Sequence, residues 1–291
     1  MAYPYMLGWQ KQIEDPRDDL FMFKASRDTA ATLPSRYWPI AKLPPLKYQG
    51  NLGSCVPHGV RFCIVAADMA YGVNTPIEPS RLHIYYHGRE LEGTISSDSG
   101  LTIRDGFKAV GKNGYCREDL WPYSDDGTTF KQRPSVEAET DAAPNKLPTP
   151  MYQAVSQDMI QVKSAIYEDV EHPRPVAFGF TCYESVFNAP NGDIPNPGGL
   201  DRVAGGHCIC VCGWDDSSQR VLVSNWWKGW GVAGGYGTMS YSYLMSRLAS
   251  DFWRVLKVPV DDRPVPPQPP TPTIKTITLS ADLKAGTYSV T

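Results

Sequence analysis

The apolar residues of this chain change their period near Pro173, so no fold built from one kind of element satisfies both halves. From Cys55 onward they fall at Val56, Val60, Cys63, Ile64, Ala67 and Tyr71, which is the spacing of one helix face, and Gly72 sits where a C-terminal cap belongs. Pro57 is tolerated only in a first turn, where the N–H it lacks has no intrahelical partner to lose. The helix is therefore predicted to begin within a residue or two of Cys55. A second helical pattern, LTIRDGFKAVGKNG, follows Asp98-Ser99-Gly100. After Pro173 come PVAFGF, GGHCICVCGW and RVLVSNWW, short β-rich runs separated by Gly, Asp and Ser, as in an antiparallel sheet or barrel. A helical half followed by a stranded half predicts an α+β fold of two lobes with a cleft between them.

The ends read differently. Residues 1–47 are rich in charge and proline and are expected to form an extended arm leading to Tyr48; residues 124–150 are polar and proline-rich, a surface connection. From Arg263 the chain reads RPVPPQPPTPT, a stiff polyproline spacer. Beyond it, TIKTITLSADLKAGTYSVT alternates apolar and polar residues and predicts a hairpin about Lys284–Gly286. The expected division is an arm at 1–35, a globular domain at 36–258, a linker at 259–272 and a β-prone tail at 273–291. A lone two-stranded hairpin is marginal in water, so the tail is expected to order against a protein partner or a second copy of the chain.

Composition excludes some classes of function. With 42% hydrophobic residues the chain can bury a sizeable core, and a formal net charge of −3 does not suggest nucleic acid as the main ligand. No apolar run approaches the roughly 20 residues of a membrane helix, and MAYPYMLGWQKQIEDPRDD lacks the pattern of a Sec signal peptide. A cytoplasmic or virion-associated protein is expected. Seven cysteines, an odd number, suggest free thiols. In Cys208-Ile-Cys210-Val-Cys212, strand alternation puts three sulfurs in a line on one face, a poor tetrahedral zinc set, so small buried side chains are the better reading. No metal and no cofactor is expected.

A cysteine at a helix N-terminus has its thiolate stabilised by the helix dipole and by unpaired N–H groups, which makes Cys55 a candidate nucleophile if a base stands nearby. Five histidines are available: His58 three residues on, His83 and His87 in HIYYHGRE, His172, and His207 in GGHCICVCGWDD. Asn225, in VLVSNWWKGWG, precedes three tryptophans at 226, 227 and 230. An amide among indoles can hold an imidazole in one tautomer while the rings exclude water.

Taken in order, these residues resemble the papain-like cysteine peptidases. QGNLGSC matches the family's QGxxGSC, GGHCICVCGWDD its Gly-His strand, and SNWWKGWGVAGGYG its NSWGxxWGxxGYG. DSGLTIRDGFKAVGKNGYC looks like the family's glycine-containing segment beside the substrate cleft. The resemblance spans roughly residues 36–257. It implies a helical left lobe, a barrel-like antiparallel right lobe, and a thiol endopeptidase site between them. By that resemblance Cys55 is the nucleophile, His207 the base in a thiolate–imidazolium pair, and Asn225 the residue that orients the ring. Gln49 and the Cys55 N–H form the oxyanion hole, and Asp98, Ser99, Gly100, Gly206, Trp227 and Trp230 line the cleft for a peptide or protein substrate. His58 is the rival base, since i and i+3 share a helix face.

The chain also departs from the family. Val56-Pro57 stands where Trp-Ala is usual, Trp226 replaces the serine after the asparagine, and only 54 residues precede Cys55, too few for the long inhibitory propeptide of secreted members. GNLGSC with DSG and a non-secreted start resembles the bacterial and viral branch of the family more than the lysosomal cathepsins. Two other classes share the same residues: a papain-like fold serving as a binding or assembly component of a virion or secretion complex, and a thiol acyl enzyme such as a transglutaminase or peptidoglycan amidase.

Overall fold

In the computed structural model, residues 3–18, 20–21, 33–73, 76–168 and 172–256 are described, together with the backbone of 279–282 and 287–290. Two short strands come first, β1 (Leu20–Phe21) and β2 (Arg36–Tyr37). Helix α1 (Cys55–Ala70) starts at Cys55 and puts Pro57 inside its first turn, as its missing N–H requires; Gly72 follows with φ of 73°. Helix α2 spans Arg81–Glu92, a stretch whose polar and aromatic residues hide the helical period. It is defined instead by the Ser80 hydroxyl, which accepts from the His83 N–H, and by Gly93 in the left-handed region. Helix α3 (Ile103–Asn113) is capped by Thr102.

The polar segment 124–150 is more than a connection. It contains helix α4 (Val136–Ala142), capped by Ser135, with Ala138 and Ala142 one turn apart and both buried. Next come β3 (Tyr152–Val155), helix α5 (Met159–Ile166), β4 (Val176–Tyr183), β5 (Val203–Asp215), β6 (Arg220–Ser224), β7 (Tyr236–Ser240) and β8 (Ala249–Val255). The strands form one sheet in the order β1-β3-β8-β4-β5-β6-β7, with β2 on β5. Every pairing is antiparallel except β1 with β3. Two further strands, β9 (Leu279–Asp282) and β10 (Thr287–Val290), pair antiparallel with each other, as the alternating tail predicts. The proline spacer and Lys284–Gly286 lie outside the described residues.

Two apolar cores meet along β5. One gathers α1, α2 and α3 with Trp253; the other lies on the opposite side of the sheet, around Phe178, Trp214 and Trp227. Cys208, Cys210 and Cys212 all face α1, fully buried and unpaired, and Gly59 brings that helix so near that a Cβ there would lie 3.1 Å from the Cys208 sulfur. The three cysteines are thus small packing residues between a helix and a strand. Among the described residues no helix is long and apolar enough to cross a membrane.

Candidate active site

Cys55 opens α1, and the next element toward it is β5, which carries His207 and Cys208. The backbone N–H of Cys208 points at the Cys55 sulfur, which places the His207 strand over the helix start. The His207 Nε2–H donates to Asn225 Oδ1 over 2.8 Å, and the same oxygen accepts the Trp226 N–H at 2.7 Å, so the amide is fixed from two sides. That bond leaves His207 Nδ1 as the lone-pair nitrogen, buried and without a partner. Trp227 lies flat on the imidazole, with ring centroids 4.3 Å apart and planes at 20°. All four side chains are buried.

His58, the rival base, is fully committed elsewhere. Its Nδ1 donates to the Ser54 carbonyl at 2.8 Å and its Nε2 accepts from Arg81 at 2.9 Å. Trp230 backs Trp227 edge-on and donates to the Val186 carbonyl, so it supports the wall rather than lining it. Asp98 also turns inward: its carboxylate accepts the Gly53 N–H and the Tyr85 hydroxyl, bracing the loop before Cys55.

The cleft is occupied by the chain's own N-terminus. Tyr5 stacks on Trp227 at 4.7 Å, and the Met6 carbonyl accepts from Gln49 Nε2 at 3.1 Å and from Trp227 Nε1 at 3.3 Å. The Gly8 and Trp9 N–H groups both donate to the Gly206 carbonyl. Gly8 and Gln10 bond Leu101 in a parallel bridge, and Gln10 Nε2 donates to the Ser99 carbonyl. Gly8 and Gly100 are required here: a Cβ on Gly8 would fall 1.9 Å from the Gly53 oxygen, and one on Gly100, already at φ 76°, 2.1 Å from the Gly8 oxygen. Farther on, Trp9 Nε1 and the Gln12 N–H bond Asp251, and Asp18 pairs with Arg104. Segment 3–18 therefore fills the groove, where the sequence read residues 1–47 only as an extended arm leading to Tyr48. Leu101, which the sequence did not single out, makes the pairing expected of Gly100.

This occupation alters the electrostatics. Burial pushes the Cys55 thiol up to about 12, opposed by the N–H groups of Cys208, Gly8 and Val56; burial also pulls the His207 imidazole down to about 4, opposed by its bond to Asn225. With the arm docked, burial thus opposes both charged forms of the pair, the thiolate and the imidazolium. His58 is likewise held well below 6.5 by burial and by the Arg81 guanidinium. A depressed histidine binds its proton in the unfolded chain first, so the stability it contributes is present above pH 6.5 and lost as pH falls toward 4. The limit is about 1.4 kcal/mol per pH unit for each group. Denaturant unfolding between pH 7 and 4.5 is expected to show the pH slope of His207→Gln reduced by about one proton relative to the parent chain. Identical slopes would mean that His207 is solvated in the folded state.

Two lobes, helical and antiparallel, with a helix start set against a central strand, make the papain-like cysteine protease fold. The structure matches xylellain, a cysteine protease from Xylella fastidiosa, with a TM-score of 0.77 and 30% identity over 89% of this chain and 98% of that one. It matches a Carica candamarcensis cysteine protease in complex with E-64 with a TM-score of 0.56 and 18% identity, over 77% of this chain and 99% of that one. In sequence, the papain family cysteine protease pattern spans residues 39–252. An uncharacterised peptidase C1-like protein of Acanthamoeba polyphaga mimivirus is 32% identical over 222 residues, 72% of this chain and 69% of that protein. The chain belongs to the papain family of cysteine proteases.

Proposed function

We propose that the chain hydrolyses peptide bonds in extended peptide or protein segments, with Cys55 as nucleophile, His207 as base, Asn225 as the residue that orients the ring, and Gln49 as oxyanion donor. The observation that carries this reading is the ring geometry: the one hydrogen bond of His207 goes to Asn225, and the freed Nδ1 is buried with no other use. Attack by the sulfur on a carbonyl carbon passes the thiol proton to Nδ1, which later returns it to the departing amine. The second support is the arm itself, an extended peptide bound through backbone groups of Gly206, Leu101 and Ser99, as a substrate strand would be. Its Met6 carbonyl takes the Gln49 amide that the developing oxyanion needs. In this reading the arm is an inhibitory segment that holds the pair un-ionised until it leaves.

Titration with an epoxide thiol trap of the E-64 type, with the labelled peptide mapped by mass, tests the assignment. One equivalent on Cys55 after displacement of the arm is expected. A site kept only for assembly would not label, and a cell-wall amidase or transglutaminase would release other products from peptidoglycan fragments or amine acceptors. Gln49→Ala is expected to lower kcat about 100-fold with little change in KM, because the amide acts mainly on charge that develops in the transition state. A change confined to KM would remove Gln49 from that role.

A further inference from the structure

In the helical lobe, α2 carries His83 and His87 one turn apart, and α4 lays Glu139 across them. The His83 Nε2 lies 3.6 Å from Glu139 Oε2 and the His87 Nε2 lies 3.3 Å from Oε1, with the three donor groups all within 4.8 Å of one another. Neither contact is a hydrogen bond. Both ring nitrogens of His83 and the Nε2 of His87 are buried without a partner, and the His83 side chain is 0% exposed. Buried polar nitrogens of folded proteins are as a rule paired, so three unpaired ones beside a carboxylate call for an explanation.

The His87 ring shows which one. Its Nδ1 lies 2.9 Å from Glu90 Oε2, with the Asn113 amide 3.0 Å from the same nitrogen. In the tautomer that donates from Nδ1 to the Glu90 carboxylate rather than accepting from Asn113 Nδ2, Nε2 is left as a lone pair facing the oxygens of Glu139. In that tautomer two acceptors face each other across 3.3 Å, an arrangement that a cation between them relieves. A carboxylate behind a histidine whose other nitrogen is free is the support that metal-ligating histidines use. In a tetrahedral site with ligand bonds of about 2.0–2.1 Å, neighbouring donor atoms are about 3.3–3.4 Å apart, close to both distances here. Two histidines at i and i+4 share one helix face, which suits a single ion.

We propose that His83, His87 and Glu139 bind one divalent transition ion of the zinc class, with Glu90 positioning His87, and that this ion fastens α4 to α2. Two imidazoles and a carboxylate are donors that zinc accepts and that magnesium and calcium do not favour. Glu139 is 31% exposed, so the ion enters from solvent on that side, where water completes the coordination. The site is separate from Cys55 and His207 and uses none of their groups.

The test is calorimetric and spectroscopic titration of the untagged, chelator-treated full chain with Zn(II) and Co(II), in a Cys55→Ala background so that the cleft pair does not compete for metal. Expected are one equivalent of zinc and visible Co(II) d–d bands without a sulfur-to-metal transition. Glu139→Gln, at a partly exposed position, should weaken binding at least about 10-fold and Glu90→Gln about 10-fold. His83→Ala should abolish binding, and in the parent chain zinc should slow amide exchange across residues 136–142. Absence of binding, a sulfur-to-metal band, or zinc affinity unchanged by both glutamate substitutions would overturn the proposal. If His83→Ala does not fold, the two glutamate variants and the exchange measurement decide alone.

Discussion

Deleting residues 1–18 is expected to raise the rate of Cys55 alkylation at neutral pH by about 100- to 1000-fold, with peptide hydrolysis rising in parallel. The sulfur is held at about 12 against an ordinary 9.0, and burial is the largest cause. Each unit of that shift is a factor of ten in the thiolate available at neutral pH. The arm supplies much of the cover: Tyr5 lies on Trp227, Met6 takes the Gln49 amide, and Gly8 approaches the sulfur itself. With the arm gone, water reaches the thiol and His207 Nδ1, and the dipole of α1 and the imidazolium both favour the thiolate. The N–H of Gly8 is lost as well, which keeps the gain below the full thousandfold. Deletion also strips Trp9 from Gly179 and Asp251, so a point change in the full chain separates release from destabilisation. Gly8→Ala drives a Cβ to 1.9 Å from the Gly53 backbone oxygen and should expel the central arm while Trp9 and Asp18 stay anchored. If both proteins alkylate as slowly as the parent chain, the arm does not control the thiol.

Cys55→Ala is expected to abolish hydrolysis while moving the melting temperature by no more than a few degrees. The residue is fully buried at the first position of α1, where alanine keeps the helical backbone and removes one sulfur atom. The resulting void is small, so the cost stays near or below about 1 kcal/mol, a shift of roughly 2–4 °C in a domain of this size. No other described thiol can take over: Cys63, Cys208, Cys210 and Cys212 are packed between α1 and the sheet, and Cys116 and Cys182 are buried in the two lobes. Retained turnover in this variant would end the assignment. The contrast with His58 is equally sharp, because His58 spends both ring nitrogens on Ser54 and Arg81 and has none to give to catalysis.

What the sequence determined by itself was whatever local chemistry enforces. Pro57 placed the start of α1, because a proline fits only the first turn. The alternation of Cys208, Cys210 and Cys212 set three sulfurs on one buried face, and glycine-punctuated apolar runs marked β4, β5 and β6. The order of Cys55, His207 and Asn225 with their flanking motifs carried the family. Helix α2 escaped the apolar period because several of its buried residues are polar, Arg81, His83, His87 and Arg89 among them; they are satisfied by partners far along the chain, or await one. The course of the arm was beyond local reasoning for the same reason. An extended segment has no period, and its bonds go to Gln49, Leu101, Gly206 and Trp227, which only the folded chain brings to one groove. The tertiary structure also bears on the charge of the site: a thiol at a helix N-terminus reads as acidic, but burial opposes the anion and is the largest influence on the Cys55 thiol.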